Sequence, residues 1–110
     1  MEKLVAYKRM PVWNKDTMPE AVQRKHNTKV GTWGKITVLK GTLKFIELTE
    51  DGEVLAEHFF EEGADNPMAQ PQAWHRVEAA TEDVEWYLEF YCKPEDYFPK
   101  KYQTLSLIHI

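Results

Sequence analysis

The sequence predicts an all-β domain built as an antiparallel sandwich or a small barrel. Segments between the glycines and prolines alternate apolar and polar residues with a period near two. The same segments are rich in the β-branched and aromatic residues that strands favour. Glycine-containing turns separate them at short intervals, so the strands are short and follow one another closely, and a doubly wound α/β fold is excluded.

The chain length limits the number of domains. With 110 residues and a mass of 13.0 kDa, the chain corresponds to a single domain spanning 1–110. A folded domain of this mass buries about two-thirds of the surface of its unfolded chain, which is enough for one core. We expect a strand-rich core over about residues 5–92, followed by a helical turn and tail over 93–110.

The first half of the chain contains two glycine turns. Before them, residues 3–7 are predicted to add an edge strand, and 21–28 forms either a strand or one helical turn. Residues 33–39 and 42–49 flank Lys40-Gly41, where glycine can adopt the positive φ of a tight connection, so we predict a hairpin. The Asp-Gly pair at 51–52 then leads into a third strand over 54–60, which completes a predicted meander.

The second half contains a loop, two strands and a tail. The loop is predicted over 61–72, which holds two prolines, and a short strand follows over 73–78. The strand over 84–92 is the clearest in the chain, with one apolar face formed by Val84, Trp86, Leu88, Phe90 and Cys92. A helical turn is predicted over 93–97. For 103–110 three roles stay open: an edge strand, a truncated junction and a dimer contact.

Charge and cysteine content exclude several partners. The chain has 14 Lys and Arg against 18 Asp and Glu, a net charge of −4 and a pI near 5.6. Nucleic acids and anionic membranes would be repelled, so neither is an expected partner. No apolar stretch approaches the ~20 residues that span a bilayer. The single cysteine, Cys92, cannot form an intramolecular disulfide, which favours a cytoplasmic location.

Two of the four histidines begin segments that are predicted to lie side by side. His26 precedes the meander, and His75 lies in the strand over 73–78. Taken singly, each is more typical of a hydrogen-bonded core side chain than of a ligand. Taken together, they are predicted to converge inside the fold, with the loop over 63–73 at the mouth of the enclosed space.

Several segments resemble a known family in their order and content. They read RKHNTKVGTWGKITVLKGTLKF, AEHFF, PQAWHRVEA and EWYLEFYCKPEDYF. They resemble the small cupin-like domain of the tellurite-resistance protein B family, which also occurs as stand-alone YeaR-like proteins, and the likeness covers about residues 5–103. The resemblance implies a cupin-like double-stranded β-helix, a jelly-roll barrel of about eight to ten strands. Longer members carry a methyltransferase domain, whereas this chain has no S-adenosylmethionine site.

The two sequence motifs of the cupins match this chain only in part. Gly41 stands at the closing glycine of the first motif and His26 at its first histidine. Thr28 replaces the second histidine of that motif, and Gly34 replaces its metal-binding glutamate. His75 matches the histidine of the second motif with altered spacing. The resemblance therefore implies the barrel more firmly than the metal site.

A divalent metal in the barrel follows as a hypothesis. His26 and His75 would supply two ligands. His58 is a third candidate, because the alternation of side chains along its predicted strand places it on the inward face. Zinc, iron and manganese suit such a site, since a catalytic metal usually has three protein ligands and an open position. The alternative is that the histidines are hydrogen-bonded within the barrel. Thr28 and Trp33 are assigned to the adjoining ligand pocket, with the core or an interface as the alternative for Trp33.

Three functions stay open at this point. The first is a cupin-like tellurite-resistance domain that binds a small molecule, an oxyanion or a metal ion in the barrel lumen. That domain would assist a methyltransferase in tellurite detoxification, a stress response. The second is a metal-dependent small cupin enzyme. The third is a structural module that forms a homodimer through an exposed strand edge.

Overall fold

Two antiparallel sheets and very little helix make up the protein in a computed structural model, which describes residues 3–97. The strands are β1 (Val5–Arg9), β2 (Trp13–Asn14), β3 (Trp33–Lys40), β4 (Thr42–Leu48), β5 (Val54–Glu61), β6 (His75–Ala79) and β7 (Glu85–Cys92), and the helix is α1 (Glu20–Gln23). The predicted all-β class is confirmed. Closure into a jelly-roll barrel and membership of the cupin fold stay predictions.

The first sheet is built around β7. Strand β3 pairs along one side of β7, with Ile36 opposite Leu88. Strands β1 and β2 follow each other along the other side, and Trp13 lies opposite Trp86. The alternating row of β7 faces the core as predicted, because Val84, Trp86 and Cys92 are buried and the two residues between them are half-buried.

The second sheet has the order β5-β4-β6, with β4 at its centre. Phe45 of β4 lies opposite His58 on β5 and opposite Val77 on β6. Directly opposed residues in an antiparallel pair point to the same face of the sheet. This register therefore fixes which side chains of β5 and β6 join Phe45 on the inner face.

The predicted hairpin between residues 33–39 and 42–49 is wrong. Strand β3 pairs with β7, whereas β4 pairs with β5 and β6, so the chain passes from one sheet to the other at Gly41. Gly41 does have a positive φ of 71°. A glycine turn specifies the local backbone geometry but not the pairing partner, which long-range packing selects. Of the predicted meander only the β4–β5 hairpin, closed around Gly52, is confirmed.

The core lies between the two sheets. Its largest fully buried members are Trp86, Leu43, Val77 and Val84. Trp13 packs edge-to-face on Trp86, with ring centroids 5.2 Å apart. Because both sheets contribute inward-facing apolar rows, burial of this surface is the main stabilising term of the fold.

Four other sequence predictions concern shorter elements. The edge strand predicted over 3–7 is observed as β1, and the strand predicted over 73–78 as β6. Within 21–28 the helical turn is observed as the last three residues of α1. A helical turn also follows β7, where the Lys93 carbonyl accepts hydrogen bonds from the amides of Asp96 and Tyr97. The tail over 103–110 lies outside the described residues.

Within residues 3–97, none of the helices has the length and apolar character needed to cross a bilayer.

Candidate functional site

A cavity of about 200 Å³ opens between the second sheet and the segment over 67–74. Strands β4, β5 and β6 provide one wall and the loop before β6 provides the other. The lining residues are Phe45, Glu47, His58, Phe60, Pro67, Met68, Ala69, Gln70, Ala73, Trp74 and His75. Its polar side chains are few and lie among apolar and aromatic ones, which is typical of small-ligand sites.

Strand register brings the polar groups of this pocket together. Glu47 on the central strand β4 lies directly opposite His75 on β6. Two residues earlier, Phe45 lies opposite His58 on β5. Since side chains alternate between faces with a period of two, Phe45, Glu47, His58 and His75 all share the inner face.

Stacked rings form the apolar floor of the pocket. Phe45 and Phe60 are nearly parallel, with an interplanar angle of 10° and centroids 5.0 Å apart. The imidazole of His75 stacks on Phe45, also at 5.0 Å. Offset stacking of this kind is worth about 0.5–1.5 kcal/mol per pair beyond area burial, so the floor holds its shape.

A carboxylate and an imidazole are paired on the same wall. His58 Nε2 lies 2.5 Å from Glu47 Oε2, and the two side chains are 43% and 47% exposed. A carboxylate accepts hydrogen bonds, so Nε2 carries the proton in this contact. The pair is accessible to solvent and to a ligand at the same time.

The predicted convergence of His26 and His75 is confirmed. Their backbones form an isolated antiparallel bridge, with N–O distances of 3.0 and 2.9 Å. Their rings meet edge-to-face at a centroid distance of 4.3 Å and an interplanar angle of 79°. His26 extends the second sheet beyond β6, which is why two residues far apart in the chain are neighbours.

Backbone hydrogen bonds fix the tautomer of both rings. His26 Nδ1 lies 2.8 Å from the carbonyl of Arg24, and His75 Nδ1 lies 2.9 Å from the carbonyl of Ala73. A carbonyl can only accept, so each Nδ1 donates its proton. In the neutral ring Nε2 then holds the free lone pair, which is the arrangement found in many metal-binding histidines.

Burial keeps this pair uncharged. Burial, and after it the electrostatic effect of His26, lowers the pKa of His75 from 6.5 to about 4; the Ala73 carbonyl and Glu47 partly oppose that change. Burial also lowers the pKa of His26, and the Arg24 carbonyl partly offsets it. Both imidazoles are therefore neutral at pH 7.

The other residues assigned to the site lie in different surroundings. His58 is in the pocket wall, as described. Thr28 is buried, and its hydroxyl donates to the carbonyl of Thr32 at 2.7 Å. Trp33 is half-buried, and its indole N–H donates to Gln70 Oε1 at 3.3 Å. Among the described residues, Thr28, Trp33 and His26 do not line the pocket, whereas His58 and His75 do.

Sequence reasoning missed Glu47. It was hidden within the strand predicted over 42–49, where it shares parity with the apolar residues Leu43 and Phe45. A carboxylate in an otherwise apolar row is costly unless it has a partner or lies at a ligand site. The presence of a glutamate in this apolar row was therefore the one sequence feature that could have indicated Glu47 as a site residue.

The geometry of two of the three predicted metal ligands is compatible with metal binding. His26 and His75 have the correct tautomer and are neutral at pH 7, as metal ligation requires. Within residues 3–97, however, no group of three or more His, Cys, Asp or Glu side chains is arranged to hold a metal ion. Zinc, iron or manganese bound by His26, His75 and His58 stays a prediction.

Comparison with known proteins relates this chain to a methyltransferase. It is 62% identical over 105 residues to the probable S-adenosyl-L-methionine-dependent methyltransferase TehB of Haemophilus influenzae, and the match covers 96% of this chain and 37% of that protein. The chain thus spans little more than a third of the length of TehB. It is 26% identical over 89 residues to Escherichia coli K12 YeaR, covering 77% of this chain and 75% of YeaR.

Two crystal structures share the fold. TehB from H. influenzae superposes with a TM-score of 0.84 at 64% identity, over 91% of this chain and 35% of that one. A protein from E. coli K12 superposes with a TM-score of 0.76 at 25% identity, over 83% of this chain and 92% of that one. Residues 8–88 match the family described as the TehB-like domain. The chain therefore belongs to the TehB-like domain family, as its sequence motifs predicted.

Proposed function

We propose that this chain is a ligand-binding domain of the tellurite-resistance system that assists a methyltransferase. The pocket between the second sheet and the segment over 67–74 would hold the ligand, which we take to be a small molecule, an oxyanion or a metal ion. The observation that carries this proposal is the convergence of Glu47, His58 and His75 on an aromatic floor. A cupin-like barrel and a cytoplasmic location are part of the same proposal.

The dimensions of the pocket support a small ligand. At about 200 Å³ it is below the range of roughly 300–1,000 Å³ that is typical of drug-sized ligands. Phe45 and Phe60 would contribute apolar contact, and the polar side chains on the same wall would orient the ligand. Recognition of this kind requires no bond chemistry from the domain itself.

The relatives support the link to methyl transfer. TehB, which is named as a probable methyltransferase, is about 2.7 times as long as the segment that matches this chain, since that segment is 37% of its length. A domain without catalytic groups of its own can serve such an enzyme by binding its substrate, its product or a regulator. We therefore assign the methyl transfer to the remainder of the longer relatives and the ligand binding to this domain.

A ligand screen with matched variants tests the proposal. Small organic molecules, tellurite and zinc would be titrated into the chain, and the amide chemical shifts of β4, β5 and β6 would be followed by NMR. We expect one saturable set of shifts around the pocket. Phe60→Leu alters the pocket floor and should weaken binding, whereas Phe59→Leu, on the exposed face of the same strand, should not. Absence of saturable shifts with every probe would refute the proposal.

The histidine tautomers favour a second candidate, a metal-dependent small cupin enzyme. His26 and His75 each leave Nε2 free, and zinc, iron or manganese would supply a Lewis acid there. The test is metal content after loading with zinc. A stoichiometry near one that is lost in the double variant His26→Gln, His75→Gln supports it, and a stoichiometry near zero in the loaded wild-type protein excludes it.

The edge strand β5 favours a third candidate, the dimerisation module. Its outer face exposes Leu55 and Phe59, which are 66% and 59% exposed. An exposed apolar edge strand is a ready site for pairing with a second chain. Sedimentation at micromolar concentration decides this point: a single species of monomer mass excludes the dimer.

A further inference from the structure

Two side chains of the ligand pocket, Glu47 and His75, present hydrogen-bond acceptors. Glu47 contributes a carboxylate, whose Oε2 is paired with His58 Nε2. His75 has its Nδ1 proton engaged by the Ala73 carbonyl, so its Nε2 presents a lone pair. These two acceptors lie on directly opposed positions of β4 and β6.

No lysine or arginine is among the described residues that line this pocket. The basic residues of the surrounding strands, Lys44 and Arg76, belong to the opposite face of the sheet, where they pair with Glu57 and Glu78. Lys25 reaches the ring of Trp74, and its ammonium donates to the carbonyl of Glu50. The pocket lining therefore contains the Glu47 carboxylate and no lysine or arginine to balance it.

Aromatic surface adjoins the carboxylate. Phe45 and Phe60 stack at 5.0 Å, and Phe45 immediately precedes Glu47 on the inner face of β4. An aromatic face attracts a positive charge through its quadrupole, and a neighbouring carboxylate adds a charge-assisted hydrogen bond. A combination of aromatic rings with one acid is a common way to recognise an organic cation.

We propose that the pocket recognises a small organic ammonium ion, whose N–H groups donate to Glu47 and to His75 Nε2 while its carbon skeleton lies on Phe45 and Phe60. This inference rests on the ligand-binding function proposed above and narrows its ligand to one class. An oxyanion such as tellurite would instead bring negative charge next to the Glu47 carboxylate without an arginine or lysine in the lining to offset it.

Three probes of one shape test this proposal. Cyclohexylammonium, cyclohexanol and cyclohexanecarboxylate would be titrated separately into the full chain at about pH 8, where an unperturbed imidazole is neutral. Calorimetry gives the affinity, and NMR shifts identify the residues affected. We expect the ammonium ion to bind at least about tenfold more tightly than the alcohol, and the carboxylate to bind most weakly.

Two glutamate-to-glutamine variants test the role of the pocket charge, one as the test and the other as its matched control. Glu47→Gln removes the charge from the pocket wall and should reduce ammonium binding about tenfold. Glu57→Gln removes an equal charge from the outer face of the neighbouring strand and should leave binding unchanged. Equal losses in the two variants would mean that general surface charge attracts the amine, and the proposal would be wrong.

The remaining outcomes separate this inference from the function it depends on. If the alcohol, the carboxylate or tellurite binds in the pocket more tightly than the ammonium ion, the pocket is a ligand site of another class and only this inference fails. If one zinc ion binds through the histidines and cyclohexylammonium does not bind, the inference likewise fails in favour of a metal. If no probe binds at millimolar concentration, the proposed function fails as well.

Discussion

The imidazole of His75 lies edge-to-face against that of His26, with the ring centroids 4.3 Å apart. A reciprocal pair of backbone hydrogen bonds holds the two residues side by side. Because each ring also donates Nδ1–H to a carbonyl two residues earlier in the chain, neither can rotate freely. The histidine pair is therefore a fixed and neutral part of the site.

The first prediction concerns stability at acid pH. The pKa of His75 is lowered to about 4, so between about pH 6.5 and 4 the unfolded chain binds a proton at this residue that the folded chain does not. The free energy of unfolding should therefore fall as pH falls through this range and level off, for this group, below about pH 4. We expect a loss of up to about 3.5 kcal/mol, because a pKa lowered from 6.5 to about 4 corresponds to about 1.4 kcal/mol for each pKa unit. Urea denaturation at a series of pH values measures it.

The control for this prediction is a variant without the imidazole. His75→Gln should reduce the slope of stability against pH in this range, although its absolute stability will be lower. The carboxylates that titrate at the acid end are common to both proteins and cancel in the comparison. Identical slopes for the two proteins would show that His75 is not held neutral by the fold.

The second prediction concerns the sheet-to-sheet crossing. A Cβ on Gly41 would overlap Thr81 Oγ1 and lie 2.5 Å from Asp83 Oδ1, and the residue has a φ of 71°. Gly63 has a similar φ of 73° but open space around it. Gly41→Ala should therefore destabilise the protein by about 1–3 kcal/mol more than Gly63→Ala does. Equal destabilisation in chemical denaturation would contradict the packing described at this corner.

The third prediction concerns the core between the sheets. Val77 is 2% exposed and Val30 is 74% exposed. Val77→Ala leaves a cavity in the core and should cost about 2 kcal/mol, whereas Val30→Ala should change stability by less than about 0.5 kcal/mol. Thermal unfolding of the two variants gives the comparison. A larger effect at Val30 would place the core elsewhere.

Local patterns were enough to predict most of the strands. The alternating row from Val84 to Cys92 specified β7 and its buried face, and the Asp51-Gly52 turn specified the β4–β5 hairpin. Both signals are short-range, since strand parity and turn geometry depend on neighbouring residues. The same kind of signal at Lys40-Gly41 led to a wrong pairing because the partners of β3 and β4 are distant in the sequence.

The candidate site was predicted only in part for a related reason. His26 and His75 were identified as a pair because both lie near the ends of strands that the sequence places close together. Glu47 could be recognised as part of the site only from the register of β4 against β6, which depends on long-range pairing. The hydrogen bonds that fix the tautomers involve backbone carbonyls, which residue identity does not reveal.

The protonation state of His75 is the central claim, because the neutral ring with a free Nε2 gives the pocket its acceptor character. Long-range ¹H–¹⁵N correlation spectra of the imidazole groups at pH 7 report which ring nitrogen carries the proton. We predict a neutral His75 protonated at Nδ1 with an unprotonated Nε2. A charged ring, or a neutral ring protonated at Nε2, would contradict the account of the pocket and of the ligand it recognises.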